Sequence, residues 1–329
     1  MSETGLLVGI LYNDDQTLVA GEERDRLAVE GVDAVAATVA GAVREAGWSE
    51  WRLAVGRELQ PVVDRLRDQR PDVVFNLVES IAGQPRLEAA MAWLLEWLEL
   101  PYTGSPPEAM SAGLDKVRAK ALLQAAGIPV PGLAYPAIVK PRSQDASHGI
   151  SHESVVADPA AAAERVAYVR SRYLQDAVVE EFIEGREFNL SLIGPTDAPV
   201  LLPPSEIDFS ELTPGRARVV GFEAKWTEGS ADYLGTSPFF PDLPPEQLET
   251  LRAVATGAYA AIGLRDYGRV DVRWHAQRGP FVLDVNPNPD LSTDAGLARA
   301  AARAGHPYAE LVQMIVRMAL ARAGVASAA

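Results

Sequence analysis

Two neighbouring segments, residues 268–273 and 282–289, carry the side chains best suited to chemistry in this sequence. In each segment polar and apolar residues alternate with a period of two, which is typical of a half-buried strand. Residues 275–280 between them, His-Ala-Gln-Arg-Gly-Pro, are turn-forming and favour a hairpin. We therefore predict two antiparallel strands whose polar faces lie side by side.

Pairing around this turn brings two carboxylates face to face. It sets Asp271 opposite Asp284. Arg269 falls opposite Asn286, and Val282 is expected on the Asn286 face. Like charges directly opposed across two strands destabilise a sheet, so we expect a cation between the carboxylates. Asp and Asn offer hard oxygen ligands, which suit Mg²⁺ better than zinc.

An ordinary solvated polar face on a hairpin is the alternative interpretation. Against it stands the sequence Asn-Pro-Asn-Pro-Asp at residues 286–290, because prolines end a strand abruptly and fix the path of the chain. Taken together, the two strands favour a site that binds a metal and a nucleotide.

Composition narrows the class of protein. The chain has 329 residues, of which 48% are hydrophobic, so it can bury a sizeable core. A net charge of −15 argues against nucleic acid or an anionic membrane as a partner. The lack of cysteine excludes disulfides, zinc–thiolate sites and cysteine nucleophiles. The apolar residues 5–12 read as a buried strand rather than a signal peptide, and we expect a cytoplasmic location.

The order of secondary-structure signals predicts three lobes of α/β (α+β) type. Alternating strands and helices across residues 1–102 predict a parallel βαβ lobe with helices on both faces of its sheet. We place two further lobes at residues 103–185 and 186–329. The predicted strands before the hairpin are residues 7–11, 51–55, 72–77, 137–140, 177–182 and 187–193. The predicted helices are residues 32–46, 62–69, 87–98, 115–126, 160–172, 245–262 and 308–321.

Two lysines and an acidic stretch could handle a nucleotide. Lys140 ends an apolar strand beside a polar loop, where an ammonium can meet phosphate oxygens. Lys116 follows Asp115, a helix N-cap candidate. Residues 180–187 join two strands through a short glycine turn, and its backbone groups could form hydrogen bonds with the edge of an adenine ring. The Glu187 carboxylate could hold a ribose or a metal. The alternatives are ordinary surface lysines and an acidic linker.

An ordered set of short motifs connects these observations with a known family. They are Phe-Asn-Leu at 75–77, Leu-Pro-Tyr-Thr-Gly-Ser at 100–105, Asp-Lys at 115–116, Val-Lys-Pro at 139–141, the acidic residues 180–187, Glu-Ala-Lys-Trp at 223–226, and the strands 268–273 and 283–289. The set resembles the ATP-grasp superfamily, in its D-alanine–D-alanine ligase-like branch, over about residues 6–320. The resemblance implies a three-lobe fold in which the second and third lobes clamp ATP.

The resemblance also implies roles for individual residues. By position it assigns ATP binding to Lys116, Lys140, Glu180, Glu181, Phe182, Ile183, Glu187 and Lys225, with the three lysines on phosphates, Glu180 and the hinge backbone on adenine, and Glu187 on ribose. It assigns metal binding to Asp271, Asp284 and Asn286, and catalysis to Arg269 at the acyl centre and to Lys225. The implied cofactors are ATP and two Mg²⁺ ions, for which Mn²⁺ can substitute.

Other positions depart from the family pattern. Ala146 stands where a serine is expected, Trp226 replaces a tyrosine, and Asp284 replaces a glutamate. Residues 287–290 and 79–83 also differ from the Thr-Ser-Pro-Gly and Gly-Glu-Asp-Gly segments of D-Ala–D-Ala ligases. Because the changes fall on the amino-acid parts of the pattern, we expect different substrates. The candidate substrate contacts are Glu79, His148, Trp226 and Asp290, although His148 could be a plain loop residue and Trp226 a lid anchor.

We therefore predict an ATP-dependent carboxylate–amine ligase that forms an amide through an acyl phosphate, in specialised metabolism. A cyclising ligase, a ligase with a non-amine acceptor, and a non-catalytic ATP-binding protein remain alternatives. The expected partners are a small carboxylate and a small amine. The resemblance further suggests a homodimer through the first lobe, to which Trp93 and Trp97 could supply an apolar patch, although buried core is the commoner role of such tryptophans.

Overall fold

The computed structural model describes residues 5–14, 20–22, 31–145 and 147–324. Its first sheet is parallel, in the order β2-β1-β3, as the alternation of strands and helices predicted. The strands are β1 (Leu7–Asn13), β2 (Ser49–Val55) and β3 (Val73–Leu77). The helices that follow them are α1 (Val32–Glu45), α2 (Gln60–Asp68) and α3 (Glu88–Trp97).

Helices cover both faces of this first sheet. Val8 and Phe75 pack on one face, in a core shared with α1 and with the C-terminal helices α10 (Gly296–Arg303) and α11 (Tyr308–Arg322). Val74 and Trp51 pack on the other face with α2 and α3. The end of the chain therefore completes the core of the first lobe, while the predicted lobe boundaries stay a prediction.

A second sheet forms the middle of the chain. Its order is β5-β4-β6, antiparallel, with β4 (Ala137–Pro141), β5 (Val155–Val156) and β6 (Ala177–Glu181). Helices α4 (Pro107–Leu114) and α5 (Lys116–Ala125) precede it, and α6 (Pro159–Tyr173) packs on it. The Asp158 carboxylate caps the start of α6 by accepting from two backbone N–H groups.

The third sheet carries the predicted hairpin. Its order is β10-β9-β7-β11-β12, and β8 pairs with β7. The strands are β7 (Arg186–Gly194), β8 (Val200–Leu201), β9 (Ser205–Asp208), β10 (Ser237–Phe239), β11 (Asp266–His275) and β12 (Gly279–Asn286). Two short helices, α7 (Phe222–Trp226) and α8 (Ala231–Leu234), lie between β9 and β10, and α9 (Pro245–Ile262) packs under the sheet.

The register of the hairpin is confirmed, with one correction. Asp271 pairs with Asp284 and Arg269 with Asn286. The prediction that Val282 shares the face of Asn286 is wrong, because a β-bulge at this point makes Val272 the partner of Val282. Val282 consequently lies in the hydrophobic core, and the cavity is lined by Leu283 instead.

The tryptophans of α3 also differ from the core interpretation. The exposed fraction is 50% for Trp93 and 70% for Trp97. In the first lobe, the buried side of α3 is formed instead by smaller residues such as Met91 and Leu95. Among the residues that the structure describes, no helix is long and apolar enough to cross a membrane.

Candidate active site

A cavity of about 710 Å³ lies where the second and third sheets face each other, a size typical of small-molecule sites. The predicted site residues in its lining are Lys116, Lys140, Glu181, Phe182, Ile183, Glu187, Lys225, Trp226, Arg269, Asp271, Asp284, Asn286 and Asp290. Three others, Glu79, His148 and Glu180, lie outside the lining. Residues from sequence positions up to 174 apart therefore converge on one site.

Lys116 enters the cavity from the first turn of α5. The Asp115 carboxylate caps this helix by accepting from the two N–H groups that follow Lys116, which fixes the direction of the lysine. The Lys116 Nζ lies 3.1 Å from Asp284 and 3.7 Å from Asp145. Burial lowers the pKa of Lys116, but these two carboxylates more than offset it, so the pKa is raised. The lysine is thus a buried, fully charged cation.

Lys140, at the end of β4, shares a carboxylate with a second lysine. Glu180 on the neighbouring β6 lies 2.8 Å from the Lys140 Nζ and 2.5 Å from the Lys120 Nζ. Burial raises the pKa of Glu180, but the two lysines more than offset it, so the pKa is lowered. The Glu180 carboxylate therefore serves the lysines, and its contact with adenine stays a prediction.

The polar face of the hairpin is held together by Asp271. Its carboxylate accepts two hydrogen bonds from Arg269, at 2.7 and 3.0 Å. It also accepts from Asn189 at 2.9 Å and from Asn286 at 3.1 Å. Burial raises the pKa of Asp271, but Arg269 more than offsets it, so the pKa is lowered and the group is ionised.

The chemistry of these donors fits a magnesium site that a substrate completes. Among the described residues, no group of three or more acidic or histidine side chains could hold a metal on its own. Asp271 and Asp284 are instead cross-strand partners, and the Asn286 amide donates a hydrogen bond to Asp271. Proteins typically hold Mg²⁺ through one or two carboxylates together with phosphate oxygens. Two carboxylates and an amide that line a cavity beside buried lysines match that pattern.

Residues 182–185 connect β6 of the second sheet to β7 of the third, and this connection is called the hinge here. Arg273 stabilises it. This buried guanidinium donates to Glu187 at 2.8 and 2.5 Å and to the Ile183 carbonyl at 3.3 Å. In the same hinge the Glu181 N–H donates to Gly132. No hydrogen bond among the described residues uses the Ile183 N–H, which leaves it free for a ligand in the cavity.

Helix α7 carries Lys225 and Trp226, and both side chains line the cavity. The Lys225 Nζ lies 4.9 Å from the centre of the Trp226 ring. Burial and the neighbouring Arg269 lower the pKa of Lys225. Lys225 therefore differs from Lys116 and Lys140, whose pKa values are raised by nearby carboxylates despite their burial.

The structure separates the four candidate substrate contacts. Trp226 and Asp290 line the cavity. His148 instead packs edge-on against Phe222, at 5.8 Å between ring centres. Glu79 is exposed just after β3 and outside the lining, although its charge acts on Lys225. Ala146, one of the family departures, lies outside the described residues. Substrate contact stays a prediction for all four candidates.

Three residues at the site were given no role by the sequence reasoning. Lys120 lies one helical turn after Lys116, and Asn189 lies two residues after Glu187 on the same face of β7. Helix and strand periodicity could therefore have found both. Asp145, which also lines the cavity, stands in a loop without such a signal; burial raises its pKa, although Lys116 opposes this.

Comparison with known proteins agrees with this geometry. The family model described as D-ala D-ala ligase C-terminus matches residues 129–317. The uncharacterized protein y4sG of Sinorhizobium fredii is 32% identical over 308 residues, covering 87% of each chain. The D-alanine–D-alanine ligase of Moorella thermoacetica is 30% identical over 329 residues, covering 92% of this chain and 98% of that protein.

A solved structure shows the same fold. The D-alanine–D-alanine ligase of Bacillus anthracis, complexed with ATP, superposes with a TM-score of 0.73 at 19% sequence identity, covering 97% of this chain and 99% of that one. Together with the family model and the sequence relatives, this completes the assignment. The chain belongs to the D-alanine–D-alanine ligase family of ATP-grasp proteins, which are ATP-dependent carbon–nitrogen ligases.

Proposed function

We propose that this protein joins a small carboxylate to a small amine at the expense of ATP, with substrates other than two D-alanines. One observation carries the ligase chemistry: the residues suited to phosphates and metal line a single cavity. The resemblance to the family places most of the departing positions, although not Asp284, on its amino-acid parts, and this supports different substrates. Lys116, Lys140 and Lys225 supply the positive charge for phosphates, and Glu187 is assigned to the ribose.

In this mechanism the substrate carboxylate attacks the γ-phosphorus of ATP, giving an acyl phosphate and ADP. The lysines neutralise the charge of the transferring phosphoryl group, and Mg²⁺ held by Asp271, Asp284 and Asn286 would share that task. The amine then attacks the acyl carbon, phosphate leaves, and the nitrogen loses a proton. The Arg269 guanidinium lies two residues before Asp271 on the same face of β11. In this mechanism it donates to the oxyanion that forms at the acyl carbon.

Arg269→Ala tests the assignment of the acyl centre. We expect kcat to fall by about 10²–10³-fold, as when one oxyanion donor is lost, while calorimetric ATP binding is retained. Arg252→Ala is the control, because Arg252 makes an exposed ion pair with Glu249 on α9, away from the cavity. Near-normal turnover in the Arg269 variant would remove this residue from the mechanism.

The substrates can be identified by measuring ADP release across single and paired L- and D-amino acids and small amines, with mass spectrometry of the products. We expect activity to need two components and to give a product mass equal to their sum minus water. ADP release with one component would indicate cyclisation or self-condensation. ATP binding without ADP release across the panel would favour the non-catalytic alternative. The cytoplasmic location and the homodimer stay predictions.

A further inference from the structure

His152 lies outside the cavity but joins two parts of the chain that enclose it. It lies in a single turn of 3₁₀ helix, His152–Ser154, at the end of the loop that follows β4. Its Nε2 lies 2.7 Å from the Asp232 carboxylate, and its Nδ1 lies 2.9 Å from the Ala217 carbonyl. Both partners belong to residues 210–236, here called the lid segment, which contains α7 and α8.

The charges of this contact favour a specific, closed arrangement. Both ring nitrogens of His152 face oxygens that can only accept hydrogen bonds, those of the Ala217 carbonyl and the Asp232 carboxylate. Asp232 has an exposed fraction of only 5%, and its other oxygen accepts from Arg216 within the lid segment. A buried carboxylate is stable only where cations and donors surround it, so loss of His152 from this contact is unfavourable.

The turn that presents His152 is itself rigid. The buried Arg165 of α6 donates to the Gly149 carbonyl at 3.1 Å and to the hydroxyls of Ser151 and Ser154 at 3.3 and 3.1 Å. Ser151 and Ser154 also form a reciprocal capping box. His152 is therefore held by a turn whose own contacts do not involve the lid segment.

Further contacts dock the lid segment on the same loop. The Ser147 hydroxyl donates to the Val220 carbonyl, and the Phe222 N–H donates to the Ile150 carbonyl, each at 2.9 Å. A Cβ on Gly221 would come within 2.9 Å of the Ile150 oxygen, so only glycine permits this approach. The helix that begins at Phe222 carries Lys225 into the cavity, so the docking of the lid segment sets the position of that lysine.

We propose that His152 and Asp232 form a clasp that keeps the lid segment closed while the acyl phosphate exists. His152 is then a positioning residue that acts through Lys225 and through exclusion of water. With an open lid, water attacks the acyl phosphate and returns the carboxylate and phosphate, so that ATP is consumed without amide formation. This inference rests on the proposed ligase function.

The test compares His152→Gln with His306→Gln, using the number of ADP molecules released per amide formed. His306 is a matched control, because it makes a similar 2.8 Å contact with Glu310 on the surface of α11. We expect the ADP-to-amide ratio to rise in His152→Gln, with open lid about tenfold more populated, and to stay at the wild-type value in His306→Gln. A lower kcat with an unchanged ratio would overturn the clasp.

Hydrogen exchange measures the opening of the lid segment independently of catalysis. In the ATP-bound protein, the Phe222 amide should exchange about tenfold faster in His152→Gln and in Asp232→Asn than in the wild type, and His306→Gln should match the wild type. Equal exchange in all of them would refute the clasp even if ligation is established. Faster exchange in a protein without ligase activity would instead support the clasp and refute the proposed function.

Discussion

Replacing Gly113 by alanine is expected to disturb β12, the strand that carries the proposed metal ligands Asp284 and Asn286. Gly113 lies near the end of α4 and packs against Pro287, the residue that follows the last residue of β12, Asn286. A Cβ at this position would lie 2.6 Å from two ring atoms of Pro287 and 2.9 Å from the Val285 carbonyl. Real Cβ contacts are longer by roughly 1 Å, so either α4 or Pro287 must move. Movement of Pro287 displaces Asn286.

Two opposing effects decide the size of the change. Alanine in a helix is favoured over glycine by up to about 1 kcal/mol. Overpacking of a tight interior costs about 1–3 kcal/mol, and the backbone on both sides leaves little room to relax. The clash therefore wins, and we expect a net loss of about 1–2 kcal/mol. Gly41→Ala in α1 is the matched control, because its Cβ would meet nothing within 4 Å and only the helical gain of up to about 1 kcal/mol remains.

Thermal unfolding and ADP release measure the two consequences. Gly113→Ala should lower Tm by about 2–8 °C and reduce kcat, whereas Gly41→Ala should raise Tm by up to about 4 °C and leave kcat unchanged. A Gly113→Ala protein as stable and active as the wild type would show that Pro287 yields at no cost. The proposed coupling between α4 and β12 would then be refuted.

Three further predictions concern charged groups. Lys120→Met should lower the stability by about 1–3 kcal/mol, seen as a lower Tm, because the buried Glu180 loses one of its two cations. Burial, reinforced by neighbouring carboxylates, raises the pKa of Glu88 well above its usual range. Its stabilising proton is lost as pH rises through that raised pKa, so unfolding curves should show Glu88→Gln gaining stability relative to the wild type as pH rises above the ordinary carboxyl pKa. Chelation of divalent cations should abolish ADP release, and Asp271→Asn should raise the Mg²⁺ concentration needed to restore it.

Each of these has a contradicting outcome. Arg252→Met is the control for Lys120→Met, because it breaks an exposed pair, and equal Tm values for the two variants would show that Lys120 does not support Glu180. Parallel stability curves for Glu88→Gln and the wild type would show that Glu88 ionises normally. Full activity in the presence of chelator would exclude Asp271 from a metal site.

The hairpin shows how far sequence reasoning reaches. The alternation of polar and apolar residues, together with the turn at residues 275–280, was enough to predict that Asp271 pairs with Asp284. Strand pairing around a short loop has few possible registers. The bulge could not be predicted, since an extra residue in one strand leaves no local signal in an apolar run. That single insertion moved Val282 from the cavity face into the core.

Long-range contacts limited the prediction in the rest of the site. Lys120 and Glu180 are 60 residues apart, and their pairing depends on how α5 packs beside the second sheet rather than on any local pattern. The exposure of Trp93 has the same cause. In α3 the apolar residues outnumber the positions on the buried side, and packing decides which of them face the solvent.

From the charges of the cavity we expect the proposed metal and phosphate sites to fill together. Asp284 faces Lys116 at 3.1 Å, and Asp271 holds Arg269 through two hydrogen bonds. The carboxylates assigned to the metal thus form ion pairs with the cations that are assigned to the phosphates and the acyl centre. Binding of a cation by Asp271 and Asp284 leaves Lys116 and Arg269 without their partners, and anionic phosphate or carboxylate oxygens are the groups that replace them. Nucleotide and metal should therefore bind with positive coupling.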